Sequence, residues 1–293
     1  MRVRVVAPSS PPPLDKLAAG VARLHAAGIT VDDTDGVVRG RHAYLNGSDE
    51  ERSASLADAL RSDVDVVWLA RGGYGLPRLL SRIDPRVARA PLVIGFSDAT
   101  ALFAHLWRRG VPCVHGPLIT TLAAEPDESV AHCRAVLERR ARGARVAVRA
   151  AEPIDVEGAL FAGNLCTLGA LIGTPSFPSL DGAIVALEEV GERPYRIDRE
   201  LTHLIYAGAL RGVRAVVAGH LTNCAEPTGS GARDPAPSAL EVFSERLGAA
   251  GIPFAHGLPM GHEAPNLALP LGVRARLAAN ADGGALTLLD DLP

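Results

Sequence analysis

The feature that most constrains this chain is the alternation of short apolar runs and helical segments over its first 120 residues. "RVRVVAP" (2–8), "DVVWLA" (65–70), "PLVIG" (91–95) and "VPCVHG" (111–116) have the length and β-branched content of strands. Between them, "LDKLAAGVARLHAAG" (14–28), "SDEERSASLADALRS" (48–62) and "DATALFAHLWRRG" (98–110) carry helical spacing. Gly28 is a stop signal for the first of these, and Ser48 with Glu51 reads as a capping box opening the second. Strands that are apolar on both faces and separated by helices predict a mostly parallel sheet covered on both sides.

The rest of the chain divides by the same logic. A segment over 121–156 holds a helix, "DESVAHCRAVLERRA" (127–141), and then "RVAVRA". From 157 a second unit begins. "GNLCTLGALIG" (163–173) reads as helical, "AIVALEEV" (183–190) as a strand ending in acid, and "RIDRELTHLIYAGAL" (196–210) as an amphipathic helix. "VRAVVAG" (213–219), "ALEVFSERLGAAG" (239–251), "IPFAHGLP" (252–259), "VRARLAA" and "ALTLLD" continue the mixture. The expected fold is α/β. It comprises an N-terminal mostly parallel domain (1–120), a linker region (121–156) and a smaller C-terminal α/β or β-rich domain (157–293). The Gly/Pro/Ser-rich stretch 225–238 reads as a mobile surface loop.

Composition removes several classes of function. The 293 residues are 47% hydrophobic, enough for a large core. A net charge of -3 and 4% aromatics offer neither a basic field nor a stacking platform for nucleic acid. The arginines between Arg134 and Arg149 are interrupted by Glu138 and read as a solvated helix face. No apolar run reaches the roughly 20 residues of a membrane span. The opening "MRVRVVAPSSPPP" lacks the apolar core of a secretory signal, so a cytoplasmic location is expected. Cys113, Cys133, Cys166 and Cys224 form no CxxC pair and no zinc spacing, so they read as separate reduced thiols.

Sites in open α/β sheets gather at the carboxyl ends of strands. The residues following the predicted strands are therefore the ones to inspect. They are "RGGYG" (71–75), "FSD" (96–98), Glu188 and Glu189, "GHLTN" (219–223) and "GLPMGHEAPN" (257–266). A serine, an acid and a histidine thus fall on strand ends in the order Ser…Glu…His, an order known from α/β-hydrolases. A serine hydroxyl needs a base to become a nucleophile. Neutral imidazole is the usual base near pH 7, and a carboxylate fixes its tautomer. The Asp98 N–H at a helix start and a glycine N–H of "RGGYG" are natural oxyanion donors.

Taken singly these signals are weak. A serine before a helix is an N-cap more often than a nucleophile. "GFSDA" does not match the G-x-S-x-G elbow. His262 in a Gly/Pro loop has the look of a surface histidine, with His115, His220 and His256 as competitors. Glu188 fits a strand-end surface charge, and the glycines fit a plain turn.

Together, however, "APSSP" (7–11), "ARGGYGLPRLLSRID" (70–84), "IGFSDATAL" (94–102), "HGP" (115–117), "GNLCTLGALIGTP" (163–175), "LEEVGERPYRIDREL" (187–201) and "GHEAPNLALPLG" (261–272) form a combination spread over nearly the whole chain. It resembles the LD-carboxypeptidase family of serine peptidases, the muramoyltetrapeptide carboxypeptidases, which also includes the microcin C self-immunity proteins. The resemblance implies Ser97 as nucleophile, His262 as base and Glu188 as the acid orienting it, with Glu189 as the adjacent alternative. It implies an oxyanion hole from Asp98 and Gly73, a site at the interface of the two domains, and often a homodimer. No metal or cofactor is implied.

The implied reaction is hydrolysis of the L,D-peptide bond that links terminal D-Ala to a murein tetrapeptide, in cytoplasmic peptidoglycan recycling. Such an enzyme must read a free carboxylate, and Arg71 and Arg196 are candidates, each competing with a purely structural ion pair. Two other readings stand beside this one. One is an immunity-type peptidase cleaving acyl-sulfamoyl or aminoacyl-nucleotide toxins, disfavoured because few aromatics are available to hold an adenine ring and Trp68 and Trp107 lie in elements expected to be buried. The other is a non-catalytic muropeptide-binding protein, disfavoured because Ser97, Glu188 and His262 are all intact. "AGNL" carries Ala162 where the family often has glycine, a change expected to be harmless.

Overall fold

The computed structural model describes residues 1–32, 34–84, 91–226 and 237–293. Strand β1 (Arg2–Val6) leads into helix α1 (Leu14–Ala26) and the short β2 (Thr30–Val31). A small hairpin, β3 (Arg41–His42) and β4 (Leu45–Asn46), precedes α2 (Asp49–Arg61). The expected capping box opens α2: Glu51 N–H donates to Ser48 Oγ at 3.2 Å, and Ser48 N–H to Glu51 Oε2 at 2.8 Å. Then follow β5 (Val66–Leu69), β6 (Leu92–Gly95), α3 (Ala99–Trp107) and β7 (Cys113–His115). Every residue of β5, β6 and β7 is buried. That explains why these strands read as continuous apolar runs rather than alternating ones. They pair in parallel with β1 and β2, as expected.

Helices α4 (Ile119–Leu122) and α5 (Asp127–Leu137) lead to the second sheet. It is built from β8 (Arg145–Val148), β9 (Ile154–Asn164), β10 (Ala183–Val190), β11 (Ala215–Thr222) and β12 (Phe254–His256), with helices α6 (Leu165–Gly169), α7 (Pro194–Tyr206) and α8 (Ala239–Ala249) between. The short β13 (Leu269–Pro270) and the hairpin β14 (Arg274–Asn280) and β15 (Gly283–Leu288) end the chain. The spatial orders are β13-β7-β6-β5-β1-β2 and β12-β11-β10-β9-β14-β15-β8. The second sheet is mixed: β9 to β12 run parallel, whereas β14, β15 and β8 are antiparallel. The protein is thus an α/β molecule with two sheets.

Two features tie the sheets together. Strand β13, late in the chain, returns to pair antiparallel with β7 of the first sheet. Helix α3 packs against β9 at a glycine: a Cβ on Gly163 would lie 2.6 Å from Thr100 Cγ2. At the same point Asn164 N–H donates to Thr100 Oγ1 at 2.8 Å. One expectation needs correcting. "GNLCTLGALIG" is helical only over Leu165–Gly169, and its first two residues complete the 11-residue β9. Asn164 is the pivot, because its side chain accepts from Thr167 N–H at 2.9 Å and caps the short helix. Strand β9 also begins inside the stretch read as linker. Most of the Gly/Pro/Ser-rich loop 225–238 lies outside the described residues.

Candidate active site

Buried β6 ends at Gly95, and the chain turns sharply before α3 begins at Ala99. A Cβ on Gly95 would lie 3.1 Å from Leu69 Cβ and 3.3 Å from Ala99 Cβ, so the missing side chain helps the turn sit this close to β5. Ser97 occupies the turn with φ +64°, in the left-handed region. For a residue other than glycine this conformation costs about 1–2 kcal/mol. Its hydroxyl does not cap α3. It lies 3.3 Å from His262 Nε2. Space for the strained turn comes from across the site: a Cβ on Gly72 would be 3.1 Å from Ser97 Cβ and 3.3 Å from its Oγ.

His262 Nδ1 lies 2.7 Å from Glu188 Oε2, and the Glu188 side chain is fully buried at the end of β10. A carboxylate at this distance selects the Nδ1–H tautomer, which leaves Nε2 as the acceptor facing Ser97. A β-bulge directs Glu188 toward the imidazole. Leu187 pairs with Ala218 and Glu189 with Leu221, so Gly219 and His220 together oppose Glu188. Glu189 points elsewhere. Its carboxylate accepts from Asn164 Nδ2 (2.9 Å), Cys166 N–H (2.8 Å) and Val190 N–H (2.8 Å). Burial pushes its pKa upward against those hydrogen bonds.

The loop carrying His262 is held from several sides. Gly261, at φ +124°, leaves room for Glu188, since a Cβ there would lie 2.9 Å from Glu188 Oε2. Gly261 N–H donates to Asn266 Oδ1 at 2.9 Å, and Asn266 N–H donates to Glu125 Oε2 at 2.9 Å. The Phe96 ring meets the His262 ring edge-on at 4.8 Å between centroids, and His115 lies behind Phe96 at 5.8 Å. His115 is fully buried. Burial first, and then the nearby His262, pulls its pKa down to about 3. It therefore stays neutral in ordinary buffers. Phe96, Glu125 and Asn266 support the site, yet sequence reading did not single them out. Their only signal was adjacency to Ser97 and His262, or a lone acid in an unremarkable loop.

Gly73 sits at φ +98°, and a Cβ on it would lie 2.3 Å from Ser10 Oγ. Gly72 C=O accepts from Ser10 N–H at 3.2 Å. In a trans peptide the following N–H points the opposite way, so the Gly73 N–H is directed away from Ser10. Asp98 is buried, and its Oδ2 accepts from Ser9 Oγ at 2.6 Å and Leu76 N–H at 2.8 Å. Burial raises its pKa against these hydrogen bonds. Arg71 donates through Nη1 to Pro11 C=O at 2.7 Å. Arg196 is exposed and pairs with Glu192 at 3.2 Å. Neither arginine bonds to Ser97, Glu188 or His262. Trp68 is buried, whereas Trp107 is only partly so and donates to Ser179 C=O at 3.1 Å. Among the described residues no cluster of three or more His, Cys, Asp or Glu side chains is arranged to hold a metal ion, and no helix is long and apolar enough to cross a membrane.

Family models match both halves of this arrangement. Residues 3–116 match the LD-carboxypeptidase N-terminal domain and residues 157–277 the LD-carboxypeptidase C-terminal domain. The chain belongs to the LD-carboxypeptidase family. It is 34% identical to the murein tetrapeptide carboxypeptidase of Pseudomonas aeruginosa, over 95% of this chain and 94% of that protein. It is 35% identical to a putative carboxypeptidase of Synechocystis sp., over 98% and 94%. The crystal structure of muramoyltetrapeptide carboxypeptidase from Oxalobacter formigenes superposes with a TM-score of 0.88 at 29% identity, covering 100% of both chains. An MccF-like protein from Bacillus anthracis superposes at 0.86 with 22% identity, over 99% and 96%, and shares the fold. Membership makes this protein a peptidase, and its relatives include a probable murein peptide carboxypeptidase of Bacillus subtilis, 30% identical over 94% of this chain and 88% of that protein.

Proposed function

We propose that this protein is a serine carboxypeptidase that hydrolyses the L,D-peptide bond between terminal D-Ala and the third residue of a murein tetrapeptide. The observation that carries the reading is the hydrogen-bonded chain from Ser97 Oγ through His262 to Glu188, at 3.3 and 2.7 Å. Ser97 Oγ attacks the scissile carbonyl carbon and gives its proton to His262 Nε2. Glu188 stabilises the imidazolium through Nδ1–H. The N–H groups of Asp98 and Gly73 hold the oxyanion; loss of one such donor costs about 2.7–4 kcal/mol of barrier. Collapse breaks the C–N bond, and His262 returns the proton to the departing D-Ala amine. Water then attacks the Ser97 ester, giving its proton to His262, and the tripeptide leaves as Ser97 recovers its hydrogen.

The long Ser97–His262 distance suits a resting site, because catalytic hydrogen bonds tighten when substrate binds. Ser97 lies on β6–α3 of the first sheet, and Glu188 and His262 come from the second half of the chain. The reading therefore places the cleft between the two domains. Arg71 is the better candidate to read the substrate carboxylate. It directly precedes Gly72, whose lack of a side chain leaves room for Ser97, and no carboxylate pairs with it among the described residues. Arg196 is spent on Glu192.

Substrate competition tests the reading. The kcat/KM for L-Ala-γ-D-Glu-meso-diaminopimelyl-D-Ala should exceed that for an aminoacyl-sulfamoyl nucleotide by at least about tenfold. The same peptide ending in L-Ala should not be cleaved. Preference for the nucleotide would transfer the reading to the immunity-type reaction.

A further inference from the structure

We propose that the Asp98 carboxylate is a positioning residue for the oxyanion hole. It clamps the Ser9–Ser10 and Gly72–Leu76 segments so that the Gly73 N–H stays aimed at the carbonyl that Ser97 attacks. The inference rests on the reading of Ser97 as nucleophile. Asp98 then has two separate tasks. Its backbone N–H faces the reacting carbonyl, and its side chain, in a residue only 3% exposed, holds the wall that supplies the second donor.

The clamp joins three parts of the chain. Ser9 Oγ–H and Leu76 N–H both donate to the same oxygen, Oδ2, at 2.6 and 2.8 Å. The two segments it gathers are joined again at their other ends. Ser10 N–H donates to Gly72 C=O at 3.2 Å, Tyr74 N–H donates to Ser10 Oγ at 3.4 Å, and Ser10 fills the space a Gly73 side chain would need. Buried Arg52 closes the frame, donating to Pro8 C=O and, at 3.2 Å, to Gly75 C=O. Gly73 lies in the middle of this frame, between Gly72, whose missing side chain leaves room for Ser97, and Leu76, which is bound to Asp98.

A carboxylate suits the task. One of its oxygens accepts several charge-assisted hydrogen bonds at once, which a hydroxyl cannot match. A buried carboxylate is also costly unless its donors are in place, so it enforces their positions. Donors fixed beforehand need no reorganisation as charge develops. A displacement of about 1 Å in such a site costs about a hundredfold in rate.

The test uses the full chain with Ser9→Ala, Asp98→Ala and Asp98→Asn, assayed on the diaminopimelate tetrapeptide and by amide hydrogen exchange. Ser9→Ala removes one arm of the clamp without touching Asp98. It should lower kcat about 10- to 100-fold while KM stays within about twofold. Asp98→Asn keeps an acceptor oxygen and should recover at least about tenfold of the kcat that Asp98→Ala loses. Amide exchange at Gly73 and Leu76 should quicken in Ser9→Ala, with α3 unchanged. A Ser9→Ala kcat within twofold of wild type, or a loss confined to KM, would overturn the inference. Absence of D-Ala release by wild type would sink the reading of the reaction instead. The clamp would then be judged by exchange alone: faster exchange at Gly73 and Leu76 supports it, and unchanged exchange overturns it.

Discussion

At the scale of single residues, two adjacent glutamates show how one strand end separates chemistry from structure. Glu188 meets His262, while Glu189 anchors the β9–α6 corner through Asn164, Cys166 and its own neighbour Val190. Glu188→Gln should therefore lower kcat about 10³–10⁴-fold by favouring the wrong imidazole tautomer, with little change in Tm. Glu189→Gln should keep kcat within a few-fold and lose about 1–3 kcal/mol of stability, because an amide cannot accept all three hydrogen bonds. Steady-state assays and denaturant unfolding on both variants separate these outcomes. Strand ends bring Ser97, the Glu188–Glu189 pair and several histidines into view in the sequence, and only the family resemblance singles out Glu188 and His262. The residues by themselves leave the two acids open, because their alternation along β10 does not say which face the imidazole occupies. The positive φ of Ser97 was also hidden, since the glycine that makes room for it, Gly72, lies 25 residues earlier.

At the scale of elements, the packing of helices and strands depends on close approaches that small residues permit. Gly20 of α1 is one, because a Cβ there would lie 1.9 Å from the Ile119 carbonyl oxygen of α4. Gly20→Ala gains helix propensity but drives a methyl into backbone. It should destabilise the protein by about 1–3 kcal/mol, seen as a lower Tm, while the kcat of the folded fraction is kept. An unchanged or raised Tm would contradict this packing. The parallel strands of the first sheet were legible because burial on both faces makes them apolar throughout. Strand β9 was not. Its first half faces the β14–β15 hairpin and is partly exposed, its second half is rich in small residues, and Asn164 switches it to helix without a proline or a long polar break. The β10–β11 bulge had no signature except Gly219.

At the scale of the whole molecule, the two sheets are coupled through α3 and β13, and Ser97 at the end of one meets His262 and Glu188 from the second half of the chain. Buried ionisable groups there should govern acid stability. The folded pKa of His115 is about 3, against 6.5 for an unfolded histidine. Between those values the unfolded chain binds a proton that the folded one refuses. The stability owed to neutral His115 is therefore complete above pH 6.5 and declines as pH falls toward 3. From pH 7 to pH 5 the loss is about 2 kcal/mol, on the order of 1.4 kcal/mol per pH unit. Glu125, Glu189 and Asp98 have raised pKa values and act in the opposite direction, but equally in wild type and variant. His115→Leu should show a shallower decline than wild type between pH 7 and pH 5 in denaturant titrations, whatever its absolute stability. Equal slopes would place the ring in a more polar setting than the structure gives it. The coupling of the sheets could not be read from sequence, because β13 is two residues long and its partner β7 lies more than 150 residues earlier.

In the proposed reaction Ser97 attacks an L,D-peptide bond with His262 as its base. Its most direct test is mass-spectrometric detection of D-Ala released from the diaminopimelate tetrapeptide by wild type beside Ser97→Ala. Release by wild type is expected, with a loss of at least about 10⁴-fold in the variant and unchanged folding. Release by both proteins at similar rates, or by neither while both are folded, would contradict it.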